Sequence, residues 1–226
     1  LTSLEHLECP INQLTTLKAH NLNNLNYINS NENLLNNLDI TGLPSLQYLA
    51  FNFNSVDTFD PTEFTNLNTL WAEANQLTAL NLGGLTNLEV LRCSVNQLTG
   101  LDLSSLSNLN IFYASQNQLE YINFKNGIID DNFHFEDNPD IAFICADNNI
   151  DELNFIQSKL NIYGYENCVL NSYCNFHPGG EYYTIQGNVR YDFNTNGCDS
   201  FDTPASNLLF NISDGSNTAM FIADAS

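Results

Sequence analysis

Positive charge is scarce in this chain. Lys and Arg number 5 against 26 Asp and Glu, so its 226 residues carry a formal charge of −21. Such a surface repels phosphate backbones and anionic headgroups, which excludes nucleic acid as a natural partner and disfavours the membrane surface. No stretch approaches the ~18 consecutive apolar residues of a bilayer span, so no membrane insertion is expected. No basic, then apolar leader is visible. Leu1-Thr2-Ser3 reads as the tail of an earlier repeat, so the chain is expected to be part of a longer chain or surface complex. Catalytic residues are also thin. Only four His occur (His6, His20, His134, His177), and no Ser or Cys sits in a nucleophile motif. The pairs Asp130-Asp131 and Glu136-Asp137 could be read as acid and base, but no cleft is implied, and they read as solvated. A non-enzyme is expected.

What the chain has is repetition. Leu67 to Asn108 is two copies of one 21-residue unit, L-x-x-L-x-[AC]-x-x-N-Q-L-T-x-L-[ND]-L-x-x-L-[ST]-N. Six units follow without a gap, from Leu4, Leu25, Leu46, Leu67, Leu88 and Leu109. The fourth position holds Leu7, Ile28, Leu49, Leu70, Leu91 and Phe112, and the eleventh Leu14, Leu35, Val56, Leu77, Leu98 and Leu119. A fixed period of this size predicts a solenoid whose coils share one core. The ninth position is Asn12, Asn33, Asn54, Asn75, Asn96 and Asn117, recurring at Asn138 and Asn149. An Asn amide has two donors and an acceptor, suited to turn backbone groups stranded inside the core. The sixth position should point inward, so Cys9 and Cys93 read as small buried hydrophobes.

This pattern resembles the leucine-rich repeats, most of all the 21-residue bacterial class of internalin-type adhesins, from Leu1 to about Ile150. The resemblance implies a mostly β solenoid with short parallel strands on a concave sheet and L-[DN]-[LI] stretches such as Leu101-Asp102-Leu103 on the convex side. After Asn126 the period breaks. Phe133, Phe135 and Asn138 keep their positions, and a shortened last unit is read from Ile141, with Ile144, Ala146 and Asn149 at its fourth, sixth and ninth positions. Residues 152–165 are expected to cover the end, with a helix start at Asp151-Glu152-Leu153-Asn154-Phe155. The solenoid and cap are assigned to residues 1–170 and a partial β-sandwich module to residues 171–226. In the latter, strands are expected in EYYTIQGNVRYDF, at Asn207–Ile212 and at Ala219–Ala223. Residues 174–202 resemble a module found after leucine-rich repeats in secreted Bacteroidetes surface proteins, which usually leave by type IX secretion, and the calcium-binding B domains of Gram-positive adhesins.

The remaining cysteines cluster where the repeats fail: Cys145, Cys168, Cys174 and Cys198. In an acidic, Lys-poor chain this suggests disulfides and a secreted or cell-surface location. The pairs expected are Cys145–Cys168 and Cys174–Cys198. Zinc on Cys168, Cys174, His177 and Cys198 is the weaker alternative, since zinc knuckles are tighter. The loop after Tyr191 places oxygen ligands at Asp192, Asn194 and Asn196, then Gly197, which suits a structural calcium ion. The Cys198 carbonyl is a further ligand, with Asp199 and Asp202 as possible acids. The closing acid falls one position early for an EF-hand and is Asp.

Side chains alternate along a strand, so the third, fifth and seventh positions should face out of the concave sheet. The fifth column reads Glu8, Asn29, Ala50, Trp71, Arg92, Tyr113, His134, with the chain's only Trp. Neighbouring columns add Tyr27 and Tyr48 on one side, and Glu73, Glu136 and Asp147 on the other. Trp71, Arg92 and Tyr113, with Tyr48, Glu73 and His134 around them, form the candidate contact patch for a protein or glycan ligand. Exposed Trp, Tyr and Arg dominate interface energetics. The expected function is a non-enzymatic binding or adhesion module. The alternative is a structural spacer or an accessory region of a larger secreted protein or hydrolase.

Overall fold

The computed structural model describes residues 3–128 and 132–172 in full, and beyond them the backbone of four short strands. Seven three- or two-residue strands make one parallel sheet: β1 (His6–Glu8), β3 (Tyr27–Asn29), β5 (Tyr48–Ala50), β6 (Thr69–Trp71), β7 (Val90–Arg92), β9 (Ile111–Tyr113) and β11 (Phe133–His134). Each centres on the fourth-position apolar residue. Its Cα partner is the equivalent residue one coil on: Leu7 beside Ile28, Ile28 beside Leu49, Leu49 beside Leu70, and so to Phe112 beside Phe133. These central side chains are buried from Ile28 onward, while Leu7, on the edge strand, is half-buried.

Across the core lies a second, interrupted parallel layer. Strands β2 (Thr16–His20) and β4 (Asn37–Thr41) pair at one end. Strands β8 (Gly100–Asp102), β10 (Tyr121–Asn123), β12 (Phe143–Cys145) and β13 (Val169–Asn171) pair at the other. The L-[DN]-[LI] stretches thus lie on this side as expected, with Leu101, Leu103, Ile122 and Phe124 buried.

The corner between the layers shows why Asn recurs. In each coil from Asn33 to Asn138, Nδ2 donates to the sixth-position carbonyl of its own coil and to that of the coil before. Asn96, for example, reaches Cys93 O at 3.1 Å and Ala72 O at 2.9 Å. Its Oδ1 accepts from the eleventh-position amide of the preceding coil, Leu77 N, at 2.9 Å. Every Asn therefore ties two coils together through backbone groups that have no strand partner.

The residue just before it is bent. Ile11, Glu32, Phe53, Ala74, Val95, Gln116 and Asp137, all at the eighth position, have φ between 53° and 58°. This left-handed region costs a residue bearing a Cβ about 1–2 kcal/mol. It persists because the inter-coil hydrogen bonds run on past the strands: Val95 N donates to Ser115 O at 2.9 Å, and Asn75 N to Val95 O at 3.2 Å.

The far end departs from expectation in three ways. Ile144 is not a fourth-position residue: β12 pairs with β10, setting Ile144 beside Ile122 in the convex layer. The inward x-L-x alternation is the same in both layers, so period alone could not assign it. Asp147 therefore does not join the concave columns. Asn149 is not a corner but the N-cap of helix α1 (Ile150–Tyr163), accepting from Asp151 N. The covering helix itself is as expected. It buries Leu153, Ile156 and Leu160 over the last coil and ends on Gly164 at φ 75°. Tyr165 then donates its hydroxyl to Phe135 O and accepts from Asn138 N at 2.8 Å, closing the final corner.

The third departure concerns sulfur. Cys145 is disulfide-bonded, but Cys168 is a free thiol, as are Cys9 and Cys93. Cys168 does not clamp the cap: it packs against the core, and the strand register sets Cys145 beside Asn171, three residues further along. The partner of Cys145 lies outside the described residues. Strand β13 crosses the expected domain boundary, and Ser172 is buried.

Beyond it, β14 (Arg190–Tyr191) pairs with β15 (Thr203–Pro204), and β16 (Leu209–Ser213) with β17 (Thr218–Ile222), all antiparallel. The last two strands match the expected ones at 207–212 and 219–223. The candidate calcium residues Asp192, Asn194, Asn196, Cys198, Asp199 and Asp202 lie outside the described residues. Zinc on Cys174, His177 and Cys198 lies there too.

Candidate functional site

The concave sheet positions its outward side chains by alternation. The fourth-position residue points into the core, so the third and fifth point out, and parallel pairing stacks like positions one coil apart. All six candidate residues come together here. Trp71, Arg92 and Tyr113 close β6, β7 and β9, and His134 ends β11. The Arg92 guanidinium carbon lies 5.2 Å from the centre of the Trp71 ring and 4.7 Å from that of Tyr113. Tyr113 in turn stacks on His134 at 4.7 Å, with the rings 11° from parallel.

The stack continues the other way, through Tyr48 to two residues outside the six, Tyr27 and His6. Trp71 meets Tyr48 edge-on at 5.6 Å, Tyr48 stacks on Tyr27 at 4.3 Å, and Tyr27 leans on His6 at 5.5 Å. One uninterrupted line of π surfaces and one guanidinium therefore crosses all seven coils. It changes column on the way: His6, Tyr27 and Tyr48 are third-position residues, while Trp71 to His134 are fifth-position. The step falls where the fifth column holds Ala50, which is fully buried although it faces outward. A small side chain at this point leaves room for the indole to reach Tyr48.

Electrostatics distinguish the two flanks. Glu73 Oε2 lies 3.9 Å from Arg92 Nη1, and partial burial raises the Glu73 pKa, with Arg92 only partly offsetting it. Burial, and then Tyr27, push the Tyr48 phenol up to about 12, so Tyr48 stays neutral. At the far end Glu136 Oε2 lies 3.9 Å from His134 Nδ1. Two donors in the centre, the Trp71 indole N–H and Arg92 Nε, are buried without an acceptor among the described residues. An unsatisfied buried donor costs about 1–3 kcal/mol. Both atoms are covered by the row itself, so what the row presents to a ligand is its ring faces and the outer edge of the guanidinium.

The opposite face offers less. A convex groove of about 400 Å³ lies near Tyr121, Gly100 and Asp102. Several of its polar groups are already used within the fold: Asp102 accepts from Asn123 and Ser104, and Ser105 donates to Leu82 O.

Parallel one-residue-per-coil pairing, a core of Leu at fixed positions and a shared Asn corner decide the architecture. This is a leucine-rich repeat solenoid. No protein-family model matches the chain, and no curated protein matches it. Among solved structures, it is similar to the functional domain of InlJ from Listeria monocytogenes, described as including a cysteine ladder. The identity is 22% over 65% of this chain, with a TM-score of 0.31. The chain spans 50% of that structure's length. No helix among the described residues is long and apolar enough to cross a membrane.

Sequence reading missed the eighth-position ridge. Its signal was present, since Ile11, Phe53 and Val95 share a column with Gln116 and Asp137. A column that mixes these types is not core.

Proposed function

We propose that this solenoid is a non-enzymatic binding module of the cell surface or secreted space, and that its concave π–guanidinium line contacts a protein. The observation that carries the reading is the Arg92 guanidinium held between the Trp71 and Tyr113 rings at the centre of a partly exposed aromatic row. Rigid aromatics and Arg in such a row are the residue types that anchor interfaces, because little entropy is lost when they are covered. A protein suits the row better than a glycan, because charge and aromatics alternate over several coils. The disulfide at Cys145 supports an oxidising, extracytoplasmic location. We retain the loop from Asp192 to Asp202 as a structural calcium site.

The test is a panel of purified extracellular proteins and a glycan array probed with wild-type protein and with Trp71→Ala and Tyr113→Ala. Each variant should lose about 2 kcal/mol of binding to any verified partner, with little change in melting temperature. Unaltered affinity in both variants would put the spacer reading ahead.

A further inference from the structure

The eighth-position ridge runs beside the concave face and plays no part in the aromatic line. Its backbone conformation goes with the inter-coil hydrogen bonds of every coil from Ile11 to Gln116. Its side chains are not imposed. Asn, Asp and Gly accept a positive φ most readily, and β-branched residues least. Gln116 and Asp137, at the C-terminal end, are polar and exposed. Yet Ile11, Phe53 and Val95 hold the same strained conformation with 74%, 61% and 46% of their surfaces in water. In the second coil the ridge holds Glu32, and Leu34, 57% exposed, stands two residues on. Strain and solvent exposure oppose Ile11, Phe53 and Val95, exposure alone opposes Leu34, and neither core packing nor the concave site repays them.

We propose that this ridge docks a basic amphipathic helix of a protein partner, on a surface separate from the concave line. Spacing supports a helix. Coils about 4.8 Å apart put Ile11, Leu34, Phe53 and Val95 at roughly 0, 5, 10 and 19 Å along the ridge. A helix rising 1.5 Å per residue presents residues i, i+3, i+7 and i+14 at about 0, 4.5, 10.5 and 21 Å. The two rows stay in step over two heptads, and Ala74 leaves a shallow place between Phe53 and Val95. Charge supports a basic partner: Glu32 stands within the strip, and the whole chain carries −21. The same charge disfavours a second copy of this chain as the occupant.

The test uses a labelled synthetic peptide of three heptads, with Leu at the two apolar heptad positions and Lys at the outer ones. A scrambled peptide of the same composition serves as control, and fluorescence anisotropy gives the readout. The heptad peptide should bind at least tenfold tighter than the scramble. The triple variant Ile11→Asn, Phe53→Asn, Val95→Asn should lose at least tenfold in affinity while melting no lower than wild type, because Asn fits the left-handed backbone better. If the triple variant loses its cooperative melt, Phe53→Asn alone decides. Trp71→Ala should bind this peptide as wild type does, so failure of the concave reading leaves the ridge intact. Equal binding of the two peptides would reduce the effect to bulk charge and overturn the proposal. Loss of binding in Trp71→Ala but not in the triple variant would overturn it too, by moving the helix to the concave face. So would wild-type self-association in sedimentation that the triple variant abolishes.

Discussion

Asn75 and Asn96 share an acceptor. The Ala72 carbonyl takes a hydrogen bond from Asn75 Nδ2 at 3.3 Å and from Asn96 Nδ2 at 2.9 Å. Each coil is thus pinned to the next by a side chain buried at the corner. Asn96→Ala should strand the buried amide of Leu77 and leave the carbonyls of Ala72 and Cys93 with one corner Asn each, Asn75 and Asn117. We expect a loss of about 3 kcal/mol, since even one unsatisfied buried group costs roughly 1–3, measured by chemical denaturation. A change within 0.5 kcal/mol, roughly that of an ordinary surface substitution, would deny the corner its structural role.

Arg92 separates Trp71 from Tyr113 as a planar cation. Arg92→Lys keeps the charge but not the flat guanidinium, so it should resemble Arg92→Ala more than wild type. Either change should cost about 1 kcal/mol, the scale of exposed cation–π contacts. Trp71 is the only Trp, so its emission reports the loss directly. Unchanged emission in both variants would refute the stacking.

Glu152 gives the fold a pH dependence. It is buried in the first turn of α1, and Oε1 has no hydrogen-bond partner among the described residues. Burial, followed by the nearby Asp147 carboxylate, lifts its pKa from 4.5 to about 7, against a hydrogen bond from Asp147 N. Through that window the folded state holds a proton that the unfolded chain has released, so stability falls as pH rises from about 4.5 to 7. Glu152→Gln should remove this slope and melt higher than wild type at pH 8. Parallel slopes in the two proteins would exclude Glu152 as the source.

Non-reducing peptide mapping should join Cys145 to a cysteine beyond residue 172 and leave Cys168 alkylatable after unfolding. We expect Cys174, because Cys145 lies beside Asn171, and three further residues reach at most about 11 Å. A Cys145–Cys168 peptide would contradict the structure.

Calcium binding at Asp192, Asn194 and Asn196 should release or absorb heat in titration of chelator-stripped protein and raise its melting temperature. Asp192→Ala should abolish both effects. No heat and no thermal shift in the wild type would remove the site.

The repeat by itself determined the solenoid, the centre of each concave strand, the buried corner Asn and the outward column of Trp71, Arg92, Tyr113 and His134. It could do so because each is a local rule applied once per coil: alternation sets direction, and a constant period sets alignment. Tertiary structure decided what one coil's pattern leaves degenerate. Ile144 fits either layer by its own alternation, and only pairing with Ile122 put it on the convex side. Asn149 matched the corner spacing yet caps a helix, because the strand before it, β12, lies in the convex layer and leads to no concave corner. The aromatic line changes column at Tyr48 and Trp71, which follows from the room above Ala50 rather than from any period. The strained backbone of Ile11, Phe53 and Val95 comes from hydrogen bonds between coils, and bonds between coils are written in no single repeat.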